Sequence, residues 1–241
     1  MTSPTAGLIV ALDGPASSGK SSVGAAAAAE IGYRFCDTGL LYRAATWLAL
    51  GRRVGPHDPA RLAELSAEIH LEQDERGRLA RVKVDDEDVT SHVREAAVEA
   101  HVSAISRVPE LRAALLGRQR DIARPGRIIM AGRDIGTVVL PDADLKLYLN
   151  ASVEERARRR AEERGLDAAH PDAEAVLTDL RRRDRIDSTR AVAPLRIPED
   201  AVVLTTDGNR FDQTVELVVA EIRKAEARAQ VGEATRAGTI R

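Results

Sequence analysis

Residues Leu8-Ile-Val-Ala-Leu-Asp13 run directly into Gly14, Pro15, Ala16, Ser17, Ser18, Gly19, Lys20, Ser21 and Ser22, and an alanine-rich stretch through Glu30 follows. An apolar run of strand length feeds a glycine-bounded turn, and the turn opens a helix. The spacing G-x-x-x-x-G-K-S is that of a phosphate-binding loop. Gly14 and Gly19 let the backbone curl so that amides converge on phosphate oxygens, and the helix N-terminus adds a partial positive field. Lys20 is placed to reach β- and γ-phosphates, and Ser21 to ligate Mg²⁺. The competing reading is a ligand-free serine- and glycine-rich turn; the full pattern in a strand–loop–helix context argues against it. A loop of this kind specifies a nucleoside triphosphate but not what is done with it.

Outward from the loop, Gly32 is placed to end the first helix, and Tyr33-Arg-Phe-Cys36 forms a short strand. Asp37-Thr38-Gly39 opens a second helix that Thr38 can cap, with Leu41, Ala44, Ala45 and Leu48 on one face. A short helix is expected over 59–69. From Ile69 to Val89, partial period-two alternation between acidic turns predicts a small, largely solvent-covered antiparallel unit inserted in the domain. Asp74 and Asp85 to Asp88 lack the ordered ligand positions of a calcium loop. Helices are expected over 91–106, 110–123, 152–164, 172–186 and 211–227, and strands at 128–131, 144–149 and 201–205. Strands alternating with helices imply a mostly parallel sheet covered on both faces. Asp13, Asp37 and Asp134 directly follow strands, where such sheets place ligands. The tail beyond Ala227 has little to bury and is expected to fray.

Composition narrows the class. With 44% hydrophobic and 31% charged residues, the 241-residue chain suits one folded soluble domain, whose core falls to aliphatic residues because aromatics supply only 2%. A formal net charge of −2 gives no support to nucleic-acid binding. Cys36, the only cysteine, excludes an intrachain disulfide and suits a buried strand position. His70, His92 and His101 form no metal pattern. No stretch has membrane-spanning length, and Met1 to Gly7 lacks the features of a signal peptide, so a cytoplasmic protein is expected. Without a long exposed apolar face, a monomer is expected.

Arginine grips phosphate in fixed, bidentate geometry, and several arginines sit beside loops rather than on plain solvent faces. Arg43 follows a strand end, and Arg133 adjoins Asp134. Arg183, Asp187 and Arg190 are spaced i, i+4, i+7, which aligns them if their helix continues that far. By composition alone, Arg158, Arg159, Arg164, Arg181, Arg182 and Arg185 fit solvated surface positions.

The segments Asp13-Gly-Pro…Gly-Lys-Ser, Asp37-Thr-Gly-Leu-Leu-Tyr-Arg43, Arg112 with Arg118-Gln-Arg120, Gly132-Arg-Asp-Ile-Gly-Thr137 and Arg183-Asp-x-x-Asp-x-x-Arg190-Ala-Val-Ala-Pro194 together resemble the bacterial cytidylate kinases, from about Leu8 to Leu204. The first segment is shared by many kinases. The last two, with the polar insertion, are far more specific. The resemblance implies transfer of the γ-phosphoryl group of ATP, with Mg²⁺, to CMP or dCMP. It also implies that Thr38, Arg43 and Arg133 meet the acceptor phosphate with Arg190 nearby, that Ser103, Arg112 and Asp134 meet the cytosine edge, and that Arg183 and Asp187 hold the sugar. Lys20, Arg133, Arg183 and Arg190 are then the catalytic cations. Arg156 to Arg160 fall in or beside a lid, from which Arg159 or Arg160 approaches the triphosphate. Thr38 stands where a serine is frequent; its hydroxyl can do the same work.

The expected architecture is therefore α/β: a mostly parallel, five-stranded sheet of P-loop NTPase type with helices on both faces, a small antiparallel insertion and a short lid. One kinase domain spans 7–227. Its core covers about 7–36, 108–152 and 186–227, its acceptor region about 37–107 and its lid about 153–185, with a flexible tail at 228–241. The rivals are another small-molecule P-loop kinase, acting on a different nucleotide or on shikimate, and a nucleotide-hydrolysing regulatory protein. The switch and base-reading motifs of the latter are not evident.

Overall fold

β1 (Ile9–Asp13) lies inside a parallel sheet, paired with β6 (Ile128–Ala131) on one side and β7 (Leu145–Asn150) on the other. β2 (Arg34–Asp37) flanks β6, and β8 (Val202–Thr205) flanks β7, both in parallel. These are the five parallel strands expected from the apolar runs. The structure is a computed structural model that describes residues 7–166 and 171–238, with Pro171 and 232–238 described by backbone alone. Residues 1–6, the 167–170 link within the expected lid, and 239–241 of the expected tail lie outside the described residues.

Strand periodicity distributes the core. Val10, Leu12, Ile129, Ala131, Leu147 and Leu149 share one sheet face, covered by α1 (Lys20–Ile31) and α8 (Phe211–Gly238). Ala11, Cys36, Ile128 and Met130 share the other, where they meet Ala123 at the end of α5 (Pro109–Ala123). Cys36 is fully buried, and burial pushes its thiol pKa up, as suits an inert core residue. Ala27 and Ala28 let α1 lie close on the sheet, and Gly32 ends it in the left-handed region at φ 69°, its amide donating to the Ala28 carbonyl.

The antiparallel unit corrects the sequence reading. β3 (Ile69–Gln73) and β4 (Arg78–Val84) pair antiparallel, with β5 (Glu87–Asp88) on β4. β4 also pairs in parallel with β2 at Phe35–Arg78 and Cys36–Leu79, so the unit extends the main sheet to eight strands among the described residues. It is not largely solvent-covered. Ile69, Val82, Val84 and Val89 are buried with Leu41, Ala45 and Leu48 of α2 (Gly39–Gly51) and Leu62 of α3 (Pro59–Leu65). The charged alternate positions of the strands had masked that apolar face.

Three boundaries differ as well. α3 stops at Leu65, and a short 3₁₀ turn leads into β3 at Ile69. The expected 91–106 helix is interrupted by the extended backbone of Glu95, and α4 covers only Ala96–Ile105. α8 continues past Ala227 to Gly238, so the expected frayed segment is helical as far as that residue. α6 (Val153–Glu163) is capped by Ser152 and packs with α7 (Pro171–Thr189) around Ala157, Val176 and Leu180. Ala16 of the phosphate-binding loop belongs to that same cluster. The α6–α7 pair is thereby seated directly on the loop.

Candidate active site

The turn after β1 is forced by its glycines. A Cβ on Gly14 would stand 2.3 Å from the Leu149 carbonyl oxygen, at a φ of +153°. Ser17 and Gly19 are also left-handed, with φ of 57° and 88°, so the chain curls before α1 begins. No side chain caps α1, which leaves its first-turn amides without intrahelical partners, the arrangement that binds anions. Arg156 of α6 donates to the Ala16 carbonyl at 3.0 Å and pairs with Asp184 at 2.6 Å, bracing the loop from outside.

Lys20 is buried, and its ammonium donates to the Pro15 carbonyl at 2.6 Å and to Ser18 Oγ at 3.3 Å. Burial, reinforced by the nearby Arg133 charge, pushes its pKa well below the ordinary lysine value. A bound anion would oppose that shift, since a nearby negative charge favours the ammonium form. Ser21 Oγ donates to Asp37 Oδ2 at 2.6 Å, while Asp37 Oδ1 accepts from the Gly39 amide at 2.9 Å. This hydroxyl–carboxylate pair offers the hard oxygen donors that suit Mg²⁺. Among the described residues there is no group of three or more His, Cys, Asp or Glu side chains that could hold a metal.

The other two strand-end positions diverge. Asp13 is no ligand-facing group: its buried carboxylate accepts from the Ile135 and Gly136 amides at 2.8 and 2.7 Å. Burial pushes its pKa up to about 6 against the opposing pull of those amides. It thereby fixes the π-helical turn Ile135–Val139 that follows Arg133 and Asp134. Asp134 is buried between two guanidinium groups, Arg112 at 2.5 Å and Arg190 at 3.0 Å. Arg112 also donates to the Ser106 carbonyl at 3.0 Å and lies 5.1 Å over the Tyr42 ring, with its buried Nε unpartnered.

Thr38 does not cap α2; its hydroxyl donates to the Ala131 carbonyl at 2.9 Å, because β2 and β6 end side by side. The arginines also pair otherwise than their spacing suggested. α7 ends at Thr189, so Arg190 leaves the helix and turns to Asp134 and the Ala193 carbonyl. Asp187 accepts from Arg133 Nε at 2.9 Å rather than from Arg183. Arg183 donates to Glu99, which also pairs with Arg43 at 2.7 Å and lies 3.8 Å from Arg160.

One cleft of about 700 Å³ joins these groups. Along it lie Ala16 to Ser22, Thr38, Arg43, Ser103, Arg112, Arg133, Asp134, Arg159, Arg160, Arg183, Asp187 and Arg190. Of the expected site residues, Gly14 and Pro15 do not line it; they shape the turn behind it. Several lining residues escaped the sequence reading as site residues: Asp37, Tyr42, Glu99, and Asn209, Arg210 and Phe211 at the start of α8. Asp37 carried a strand-end signal. Glu99 and the Asn209–Phe211 segment carried none, since only folding brings them to the cleft. Arg159 is held by Thr206 Oγ1 at 3.1 Å, whereas Arg160 donates to Glu163 at 3.0 Å and lies 3.8 Å from Glu99.

A phosphate-binding loop on a parallel sheet, facing an arginine-lined chamber in the same cleft, defines a P-loop kinase of small molecules. The cytidylate kinase family model matches residues 10–224. A cytidylate kinase of Nocardia farcinica is 46% identical over 210 residues, covering 87% of this chain and 90% of that one. Those of Exiguobacterium sp. and Streptococcus pneumoniae are 43% and 44% identical, over 90% and 89% of this chain and 98% and 97% of theirs. The chain belongs to the cytidylate kinase family.

Proposed function

We propose that this cleft transfers the γ-phosphoryl group of ATP to the 5′-phosphate of CMP or dCMP by direct in-line displacement. The carrying observation is the continuity of one cleft, from Lys20 and the α1 amides to the buried Arg112–Asp134–Arg190 group. In this reading the loop holds the triphosphate and Lys20 neutralises its β,γ-oxygens. Arg43 and Arg133 receive the acceptor phosphate, with Thr38 and Arg190 beside them, and Arg183, expected at the sugar, is read with them because it shares Glu99 with Arg43 rather than pairing with Asp187. Asp187 accepts from a sugar hydroxyl. Ser103, Arg112 and Asp134 meet the cytosine edge, the unpartnered Arg112 Nε supplying an unused donor. Arg159 and Phe211, which is 55% exposed, offer a cation and a ring face to the base of ATP.

The acceptor is already an anion, so no covalent intermediate and no strong general base are required. The residues bring two polyanions together, align them and neutralise the charge that shifts toward the β–γ bridge oxygen. Ser21 and Asp37 would hold Mg²⁺, which when bound supplies further neutralisation of the phosphates. Helices α6 and α7 border the cleft and limit the access of water, which otherwise competes as acceptor. The reaction draws on cytoplasmic nucleotides, and no helix among the described residues is long and apolar enough to cross a membrane.

Coupled ADP release across a panel of nucleoside monophosphates, with the rate without acceptor as control, tests the assignment. CMP and dCMP are expected to give the highest kcat/KM. A preference for another acceptor, or ADP release independent of acceptor, would overturn it.

A further inference from the structure

Glu99 stands in the cleft as the common partner of arginines from three helices. Its Oε2 accepts from Arg43 of α2 at 2.7 Å, its Oε1 accepts from Arg183 of α7, and Arg160 of α6 approaches to 3.8 Å. Its side chain is 17% exposed, and those of Arg43 and Arg183 are 21% and 12%. One carboxylate thus faces three cations where water competes weakly. The Arg183 Nε is buried without a partner, so that guanidinium retains a donor that Glu99 does not use. A tetrahedral dianion has more acceptor sites than a carboxylate and twice its charge, and would satisfy this cluster better.

We propose that Glu99 is an internal counter-ion, which occupies the arginine cluster of the empty cleft and yields Arg43 and Arg183 to the phosphate of the incoming acceptor. This rests on the reading of those arginines as the acceptor-phosphate site. Glu99 is then a positioning residue that sets acceptor affinity. It keeps the arginines ordered and neutralised without substrate, and each binding event displaces it. Because it is on α4 while Arg160 and Arg183 are on α6 and α7, the exchange also loosens one tie between the acceptor region and the helices seated on the phosphate loop.

Glu99→Gln keeps the shape and removes the competing charge. Removing a unit negative charge within a few ångströms of a bound anion, in a partly buried site, is expected to tighten binding roughly tenfold. Calorimetric titration with CMP, and separately with inorganic sulfate, reads this directly. Both dissociation constants are expected to fall by about that factor, and KM for CMP with them, while kcat changes little or falls as product release slows. A permanent strut predicts unchanged or weaker binding of both anions, and that result would overturn the proposal; Tm is expected to fall in either case and does not decide between them. If Glu99→Gln does not fold, Glu99→Asp carries the same comparison: it retracts the charge by one methylene, and a smaller gain in anion affinity is expected, its absence counting against the proposal. The sulfate arm reads the arginine cluster without a nucleotide. A wild-type chain inactive on CMP would therefore remove the acceptor assignment and leave the counter-ion question answerable.

Discussion

Asp134→Asn tests base recognition most sharply. Both Asp134 oxygens are engaged, by Arg112 at 2.5 Å and Arg190 at 3.0 Å, on a side chain only 6% exposed. An ionised carboxylate has about four lone-pair sites, so two remain to accept from the cytosine amino group. Asparagine keeps one acceptor oxygen and turns an NH₂ toward a guanidinium, donor against donor. Two consequences follow. Breaking a buried ion pair costs about 3 kcal/mol or more, and at about 2–4 °C per kcal/mol for a chain of this size Tm is expected to fall by roughly 6–12 °C. The lost acceptor toward the base is worth ~1–3 kcal/mol, which lowers the preference for CMP over UMP by roughly tenfold or more. Uracil presents an acceptor where cytosine presents its amino group, so its rate should change less. Measuring kcat/KM for both nucleotides on one sample, below the variant's melting range, cancels any loss of folded enzyme from the ratio. An equal loss on CMP and UMP would refute the recognition role and leave Asp134 as the strut that ties α5 to the sheet end.

Lys20→Ala is expected to keep the fold, judged by Tm, while kcat falls by roughly 10²–10³, the usual cost of removing a charge-stabilising contact; near-normal turnover would defeat the phosphate-loop assignment. Gly14→Ala places a methyl group 2.3 Å from the Leu149 carbonyl oxygen and should abolish ATP binding or soluble expression, measured by nucleotide titration and yield. The acid limb of stability should carry a Glu99 component. Burial alone would raise this carboxyl, but Arg183 and Arg43 outweigh it and hold the pKa at about 2, below the ordinary 4.5. The depressed value means the contribution, on the order of 3 kcal/mol, is fully present above pH 4.5 and is lost as pH falls from there toward 2. Denaturant titrations should accordingly show the wild type losing more stability than Glu99→Gln over that interval; parallel losses would contradict the arginine cluster.

The order of strands and helices, the phosphate loop and its glycines were legible in the chain itself, because each rests on local spacing: G-x-x-x-x-G-K-S, short apolar strands and the residues that end helices. The expected arginines likewise came to line one cleft, since motifs carried by strand ends fold to one edge of the sheet. Pairing was not legible. Nothing local states that β4 would join β2 and carry the antiparallel strands into the main sheet, since a half-polar strand gives the same pattern alone or paired. The i, i+4, i+7 spacing of Arg183, Asp187 and Arg190 suggested one cluster, yet the three residues separate to Glu99, Arg133 and Asp134. Helix α7 ends before Arg190, and nearer partners from other elements compete for each charge. Glu99, in the first turn of a half-exposed helix, was indistinguishable from any solvated glutamate until three distant helices brought their arginines around it. Local chemistry is written in sequence spacing; the choice of partner for a charge is a long-range contact, and only the tertiary structure decides it.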